Sequence, residues 1–197
     1  MWDKISVKKY YEILEILNDY KDEPITLNVA LIDCIWDIDS ASIPIPRFNY
    51  YMNELEFLQN PYKPKSPKKT YKVGDIEFCP IRDVSQITTA QYIDYQEFLK
   101  REDHKHILNV LFIPKGEDYG KSDHSELLWE KLSLPDYADV LFFFLRLLNN
   151  LTADTLRSSE KMMRKEYRRE KDPQKKEELM NQMVQIHLAL LQVNENE

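Results

Sequence analysis

Between Pro135 and about Lys171 the sequence contains no glycine and no further proline, and good helix formers dominate it. Nothing there breaks a helix, so the stretch predicts one continuous α-helix opened by Ser133 or a neighbour, roughly 50 Å long at 1.5 Å per residue. Its first half holds Val140, Leu141, Phe142, Phe143, Phe144, Leu145, Leu147 and Leu148 and is expected to be buried on most sides. Its second half is charged and is expected to project. Asp172-Pro173 then marks a break, with Asp as N-cap and Pro at the first position of a final helix. That helix places Leu179, Met183, Ile186, Leu190 and Val193 at steps of 4, 3, 4 and 3, an a/d seam. Two heptads are too few for a free-standing coiled coil. The seam either seals a hairpin on the long helix or docks on a neighbouring subunit, and both readings stay open at this point.

The remaining composition narrows the choices. The chain has 197 residues and a net charge of −7, with 43% hydrophobic and 31% charged residues, which excludes a disordered acidic tail and allows a real core. A globally acidic protein is not built to coat nucleic acid nonspecifically. Glycine occurs only 3 times, where average usage of about 7% would give roughly 14, and no phosphate-cradling loop can be assembled from Gly74, Gly116 and Gly120. The longest apolar run, Val140 to Leu145, is far too short to span a membrane. Cys34 and Cys79 lack neighbouring ligands and are expected to be small buried hydrophobes. Met1-Trp2-Asp3-Lys4 leads directly into an amphipathic pattern rather than a signal peptide, so synthesis in a reducing cytosol is expected.

Three short helices are expected in residues 1–59. The first starts at Ser6 and carries Tyr10, Ile13, Leu14 and Leu17. The second follows Pro24 with Leu27, Leu31, Cys34, Ile35 and Ile38. The third follows the extended Ile43-Pro44-Ile45-Pro46 segment with Phe48, Tyr51, Met52, Leu55 and Leu58. Residues 60–69, with three prolines and four lysines, read as an extended, solvated connector. Tyr71–Val73 and Ile76–Phe78 alternate around Gly74-Asp75, which predicts a β-hairpin with a type II′ turn. Thr88 to Gln91 has the form of a capping box. The run Ile107–Ile113 is a helix or a strand, and Ser125–Lys131 is a short helix. The fold class expected is therefore mainly α with one small β-hairpin (α+β): a compact helical body plus a long C-terminal helical hairpin or arm. The divisions are 1–59, 60–69, 70–150 and 151–197.

Candidate chemistry is sparse. His104 and His106, with Asp123, His124 and Glu126, would form a metal set only if the intervening loop folded back. Asp33, Asp37 and Asp39 read as a solvated acidic face before they read as a cation site. No nucleophile motif is present, so no catalytic residue, metal ligand or cofactor is assigned. The feature with reach is a basic stripe. Arg157, Lys161, Arg164, Lys165 and Arg168 follow 3- and 4-residue steps and can share a helix face. From Arg157 to Lys176 nine basic residues outnumber four acids by five, which leaves −12 for the rest of the chain. Such a division suits charge-complementary self-assembly, one copy's basic arm lying on the next copy's acidic body. Contact with DNA is the less favoured use of the stripe.

Three segments resemble a known group. Ser6-Val7-Lys8-Lys9-Tyr10-Tyr11-Glu12-Ile13, Asp83-Val84-Ser85-Gln86-Ile87-Thr88-Thr89-Ala90-Gln91-Tyr92-Ile93-Asp94, and Leu111-Phe112-Ile113-Pro114-Lys115-Gly116 with Tyr119-Gly120 resemble, in the same order, small structural-module proteins of tailed phages of Bacteroidales hosts. That group includes virion proteins and tail assembly chaperones of crAss-like phages. None of these motifs is catalytic. The resemblance implies a non-enzymatic virion structural protein made in the host cytoplasm. It would be a portal-proximal head-to-tail connector or tail-ring component, with other copies, the portal and other tail proteins as partners. A tail assembly chaperone is the alternative and a small metal-dependent enzyme the second alternative.

Overall fold

The computed structural model describes residues 1–195, with side chains described through Leu190 except that of Val84. It is 69% helical with a small three-stranded antiparallel sheet. The chain divides into two compact units: Met1–Ile81 with Ile87–Phe142, and Arg82–Gln86 with the residues from Phe143 onward. Residues 1–81 and 87–142 fall in the first of these units.

In the first unit α1 (Val7–Asp19) begins where the Ser6 hydroxyl accepts the Lys9 N–H at 3.2 Å. Pro24 opens α2 (Pro24–Trp36) from its first turn, a position where the missing N–H costs nothing. α3 (Ile45–Glu54) follows, ending in a 3-10 turn, and Tyr51 packs its ring 4.9 Å from Trp36. Leu31, Ile32 and Ile35 are buried, whereas Cys34 is only half-buried. Burial and the nearby Glu12 carboxylate push the Cys34 thiol up to about 11, so it stays protonated.

β1 (Tyr71–Val73) and β2 (Ile76–Pro80) pair in antiparallel register, with Tyr71 opposite Phe78. Gly74 sits at φ +61 and Asp75 does not take positive φ, as the type II′ turn requires. The hairpin is not alone. β3 (Phe112–Pro114) pairs with β2 on its other side, Phe78 opposite Pro114 and Pro80 opposite Phe112. The apolar run before it is both things at once: α5 (His104–Leu111) passes directly into β3. Between these elements α4 (Thr89–Lys100) starts with the capping box, Thr88 Oγ1 accepting the Gln91 N–H and Gln91 Oε1 accepting the Thr88 N–H.

α6 (Ser125–Lys131) leads into α7 (Leu134–Arg169) through an isolated bridge between Ser6 and Ser133, with N–H donation from Leu134 to the Ile5 carbonyl and from Val7 to the Leu132 carbonyl. The Ser133 hydroxyl accepts the Asp136 N–H, and Pro135 lies within the first turn. At 36 residues, α7 is about 54 Å long. Its apolar first half is not buried on most sides. Leu134, Tyr137, Val140, Phe144 and Leu148 form the buried stripe at 3- and 4-residue steps, while Phe142 and Leu145, about 200° and 100° from it, are exposed. The same geometry leaves Leu14 and Leu17 of α1, and Tyr92, Ile93 and Leu99 of α4, largely outside the core around Phe78, Phe112, Leu108 and Leu128.

Residues 60–69 run extended and largely exposed, but they are not free of the body. Pro67 is buried, and the segment is strapped to the start of α7 by three bonds: Tyr62 Oη and the Lys65 N–H donate to Asp139, and Lys68 Nζ to Asp136. Lys and Pro dominate it because its backbone runs extended while its lysines reach water.

Candidate functional site

The basic stripe lies in the second unit, on the C-terminal half of α7. That helix packs against α8 (Pro173–Glu195) as a C-terminal hairpin. The turn is built as its residues dictate. Glu170 Oε1 accepts the N–H groups of Lys171 and Asp172, which hold its carboxyl below the usual range, and Asp172 Oδ1 accepts the Gln174 N–H at 2.9 Å. Lys176 Nζ stands 5.4 Å from the centre of the Tyr167 ring, within cation–π distance.

The less exposed positions of α7 here include Ala153, Leu156, Glu160, Met163 and Tyr167, with Ser159 beside them; those of α8 include Lys176, Leu179, Met183, Ile186 and Leu190, with Ala189 beside them. The rows 153–156–160–163–167 and 176–179–183–186–190 each advance by 3 and 4, so two complementary seams run along the hairpin. The residues expected to seal a hairpin or meet a subunit are therefore on the least exposed face of α8. Leu190 is buried and Leu179, Met183 and Ile186 are partly covered. Val193 falls within α8, but its side chain lies outside the described residues.

Arg157, Lys161, Arg164, Lys165 and Arg168 are all exposed. Arg164 pairs with Glu160 at 2.6 Å and Arg157 with Asp154 at 3.4 Å, one turn or less away. Among the described residues Lys161, Lys165 and Arg168 make no ion pair. On a helical wheel the stripe runs from beside the seam, at Arg164 and Arg157, round to nearly opposite it, at Lys165. Two of its members, Arg164 and Arg168, border a groove of about 520 Å³ lined also by Glu160 and Tyr167 from α7 and by Met180, Met183, Val184, His187 and Leu188 from α8. Met180, Val184 and Leu188 are a second, exposed apolar row at four-residue steps, which the reading of a single seam missed. Their spacing was the available signal.

The first unit holds a polar cleft of about 310 Å³ bounded by α4, α5, β3 and the loop up to α6. Asp94, Asp118, Asp123, His106 and Lys121 line it, and each already has a polar partner. The Tyr119 phenol donates to Asp94 at 2.6 Å, which together with burial keeps that phenol protonated far into alkali. Lys121 pairs with Asp118 at 2.7 Å. Asp123 Oδ1 accepts from Asn109 Nδ2 at 2.5 Å and from the Ser125 N–H at 2.9 Å, and these bonds hold its carboxyl down at about 2. His106 Nδ1 contacts Asp103 at 2.7 Å.

The other two histidines of the considered metal set are occupied elsewhere. His104 stacks on Tyr11 at 4.4 Å, and His124 meets the edge of Phe78 at 5.6 Å. Glu126 pairs with Lys105. Among the described residues no three His, Cys, Asp or Glu side chains converge to hold a metal. The Asp33, Asp37 and Asp39 carboxylates are likewise spent locally: Asp33 accepts the Ser40 N–H, Asp37 pairs with Lys9, and Asp39 caps the turn at Ala41 and Ser42. None of the helices is long and apolar enough to cross a membrane, among the described residues.

The chain matches no protein-family model, no curated protein and no solved structure.

Proposed function

We propose that the chain is a non-enzymatic structural protein of a tailed-phage particle, a portal-proximal connector or tail-ring component that meets its neighbours through the C-terminal hairpin. The observation that carries the assembly part is the surface of that hairpin, where Arg164, paired with Glu160, and Arg168, unpaired among the described residues, border an exposed apolar row. A solvated helix has no use for Met180, Val184 and Leu188 half in water, whereas an interface core does. The segment's +5 against −12 elsewhere supplies long-range attraction between copies or toward an acidic neighbour. The non-enzymatic part is supported by the polar cleft, whose acids and bases already have hydrogen-bond or ion-pair partners. The phage setting is supported by the resemblance of the segments at Ser6–Ile13, Asp83–Asp94 and Leu111–Gly116.

The test is protein mass spectrometry of purified mature particles beside the lysate of infected cells. Peptides of this chain in fixed ratio to the portal are the expected result. Abundance in the lysate with absence from particles would replace this reading with that of an assembly chaperone.

A further inference from the structure

The groove on the α7–α8 hairpin has two unlike walls: Glu160, Arg164 and Arg168, of which Arg164 is paired with Glu160 and Arg168 is unpaired among the described residues, on one side, and Met180, Val184 and Leu188 on the other. An occupant must therefore be acidic along one edge and apolar along the next. We infer that this groove receives the tip of the α1–α2 helical hairpin of a second copy, joining copies head to tail, an inference that rests on the assembly reading above.

The tip, Leu14 to Ile25, has the matching chemistry. Leu14, Leu17 and Ile25 are exposed, Ile25 by 80%. Glu15, Asp19, Asp22 and Glu23 stand against Lys21 alone, for a net −3. All four acids are exposed, and among the described residues none has an ion-pair partner. The other helices with exposed apolar groups lack this charge. α4 exposes Tyr92, Ile93 and Leu99, but its Asp94 and Glu97 are balanced by Lys100 and Arg101, and Glu97 already pairs with Arg101 at 2.8 Å. α3 exposes Ile45 and Tyr50 beside the balanced Arg47 and Glu54.

Both surfaces belong to every copy and differ from each other, so the contact is heterologous. Repetition then closes a ring, or extends a filament where the rotation does not close. With a water taking about 30 Å³ of liquid, an apolar tip seated in the groove of about 520 Å³ releases many waters from apolar surface at once.

The experiment is sedimentation velocity on the full chain and its variants, at concentrations up to tens of micromolar and at low and high salt. Wild type is expected to assemble, less so in high salt. Lys161→Glu with Arg168→Glu, which leaves the Glu160–Arg164 pair intact, is expected to weaken assembly by at least about 30-fold. Glu15→Lys with Asp19→Lys is expected to do the same. All four changes on one chain restore the charge match and should recover most of the loss. All four positions are exposed, so circular dichroism should show every variant folded; Leu188→Asp and Ile25→Asp, also exposed, test the apolar half separately and should each weaken assembly. A monomeric wild type, assembly indifferent to these changes, no recovery in the fourfold variant, or a monomer that binds duplex DNA through Lys161 and Arg168 would each overturn the contact. Oligomers indifferent to the changes sink this contact alone, whereas absence from purified particles sinks the virion reading whatever the sedimentation shows.

Discussion

Tyr62 donates its phenol proton to Asp139, 77 positions later in the chain, at 3.0 Å, and the Lys65 N–H donates to the same oxygen at 2.6 Å. Asp139 is 6% exposed, so the strap supplies hydrogen bonds to a polar side chain that water scarcely reaches. Replacing Asp139 by Ala strands both donors and is expected to cost about 1–3 kcal/mol in urea denaturation. Asp139→Asn keeps an acceptor oxygen and should lose less. Burial, followed by the bond to Asp139, pushes the Tyr62 phenol up to about 12. The folded state thus favours the neutral phenol. Its contribution is complete below the ordinary value of 10 and fades as pH climbs through about 12, with Tyr62→Phe removing that fading.

Gly74→Ala tests the hairpin turn. A Cβ there would lie 3.6 Å from Leu127 Cδ1, ordinary contact, so the cost comes from φ +61 alone. About 1–2 kcal/mol is expected by chemical denaturation.

Asp123 gives the molecule an acid-side dependence of opposite sign. Its carboxyl titrates at about 2 rather than at the ordinary 3.8, because the Ser125 N–H and the Asn109 amide favour the charged form. Its contribution is present above 3.8 and is lost as pH falls through about 2. Nuclear magnetic resonance titration of the Asp123 carboxyl checks the value, and Asp123→Asn should flatten that part of the acid unfolding curve.

Asp172→Ala removes the cap of α8. The Gln174 N–H then loses its acceptor, and about 1 kcal/mol of local stability should go with it. Hydrogen exchange in the first turn of α8 is expected to speed about fivefold, with the centre of the sheet unchanged.

The parts of this fold that were legible in the sequence are those whose cause is local. The Thr88–Gln91 box, Pro24 opening α2, Asp172-Pro173 opening α8 and the Gly74 turn each act within a few residues, and the structure uses all of them. The missed features depend on partners far along the chain. β3 exists because Phe112–Pro114 finds β2 more than thirty positions earlier, and nothing within the run Ile107–Ile113 announces that. The strap's own lysines and prolines suggest water, while its anchor is Asp139. The basic stripe was visible as a helical period. The groove beside it was not, since it needs the register of α7 against α8, which two separate periodicities do not supply.

The sheet has one more consequence. Its outer strands, Tyr71–Val73 and Phe112–Pro114, are three residues long, and one of them ends in a proline. Borders so short expose too few free amide and carbonyl groups to recruit a foreign strand. Growth by β-addition, the commonest hazard of a half-open sheet, is thereby disfavoured.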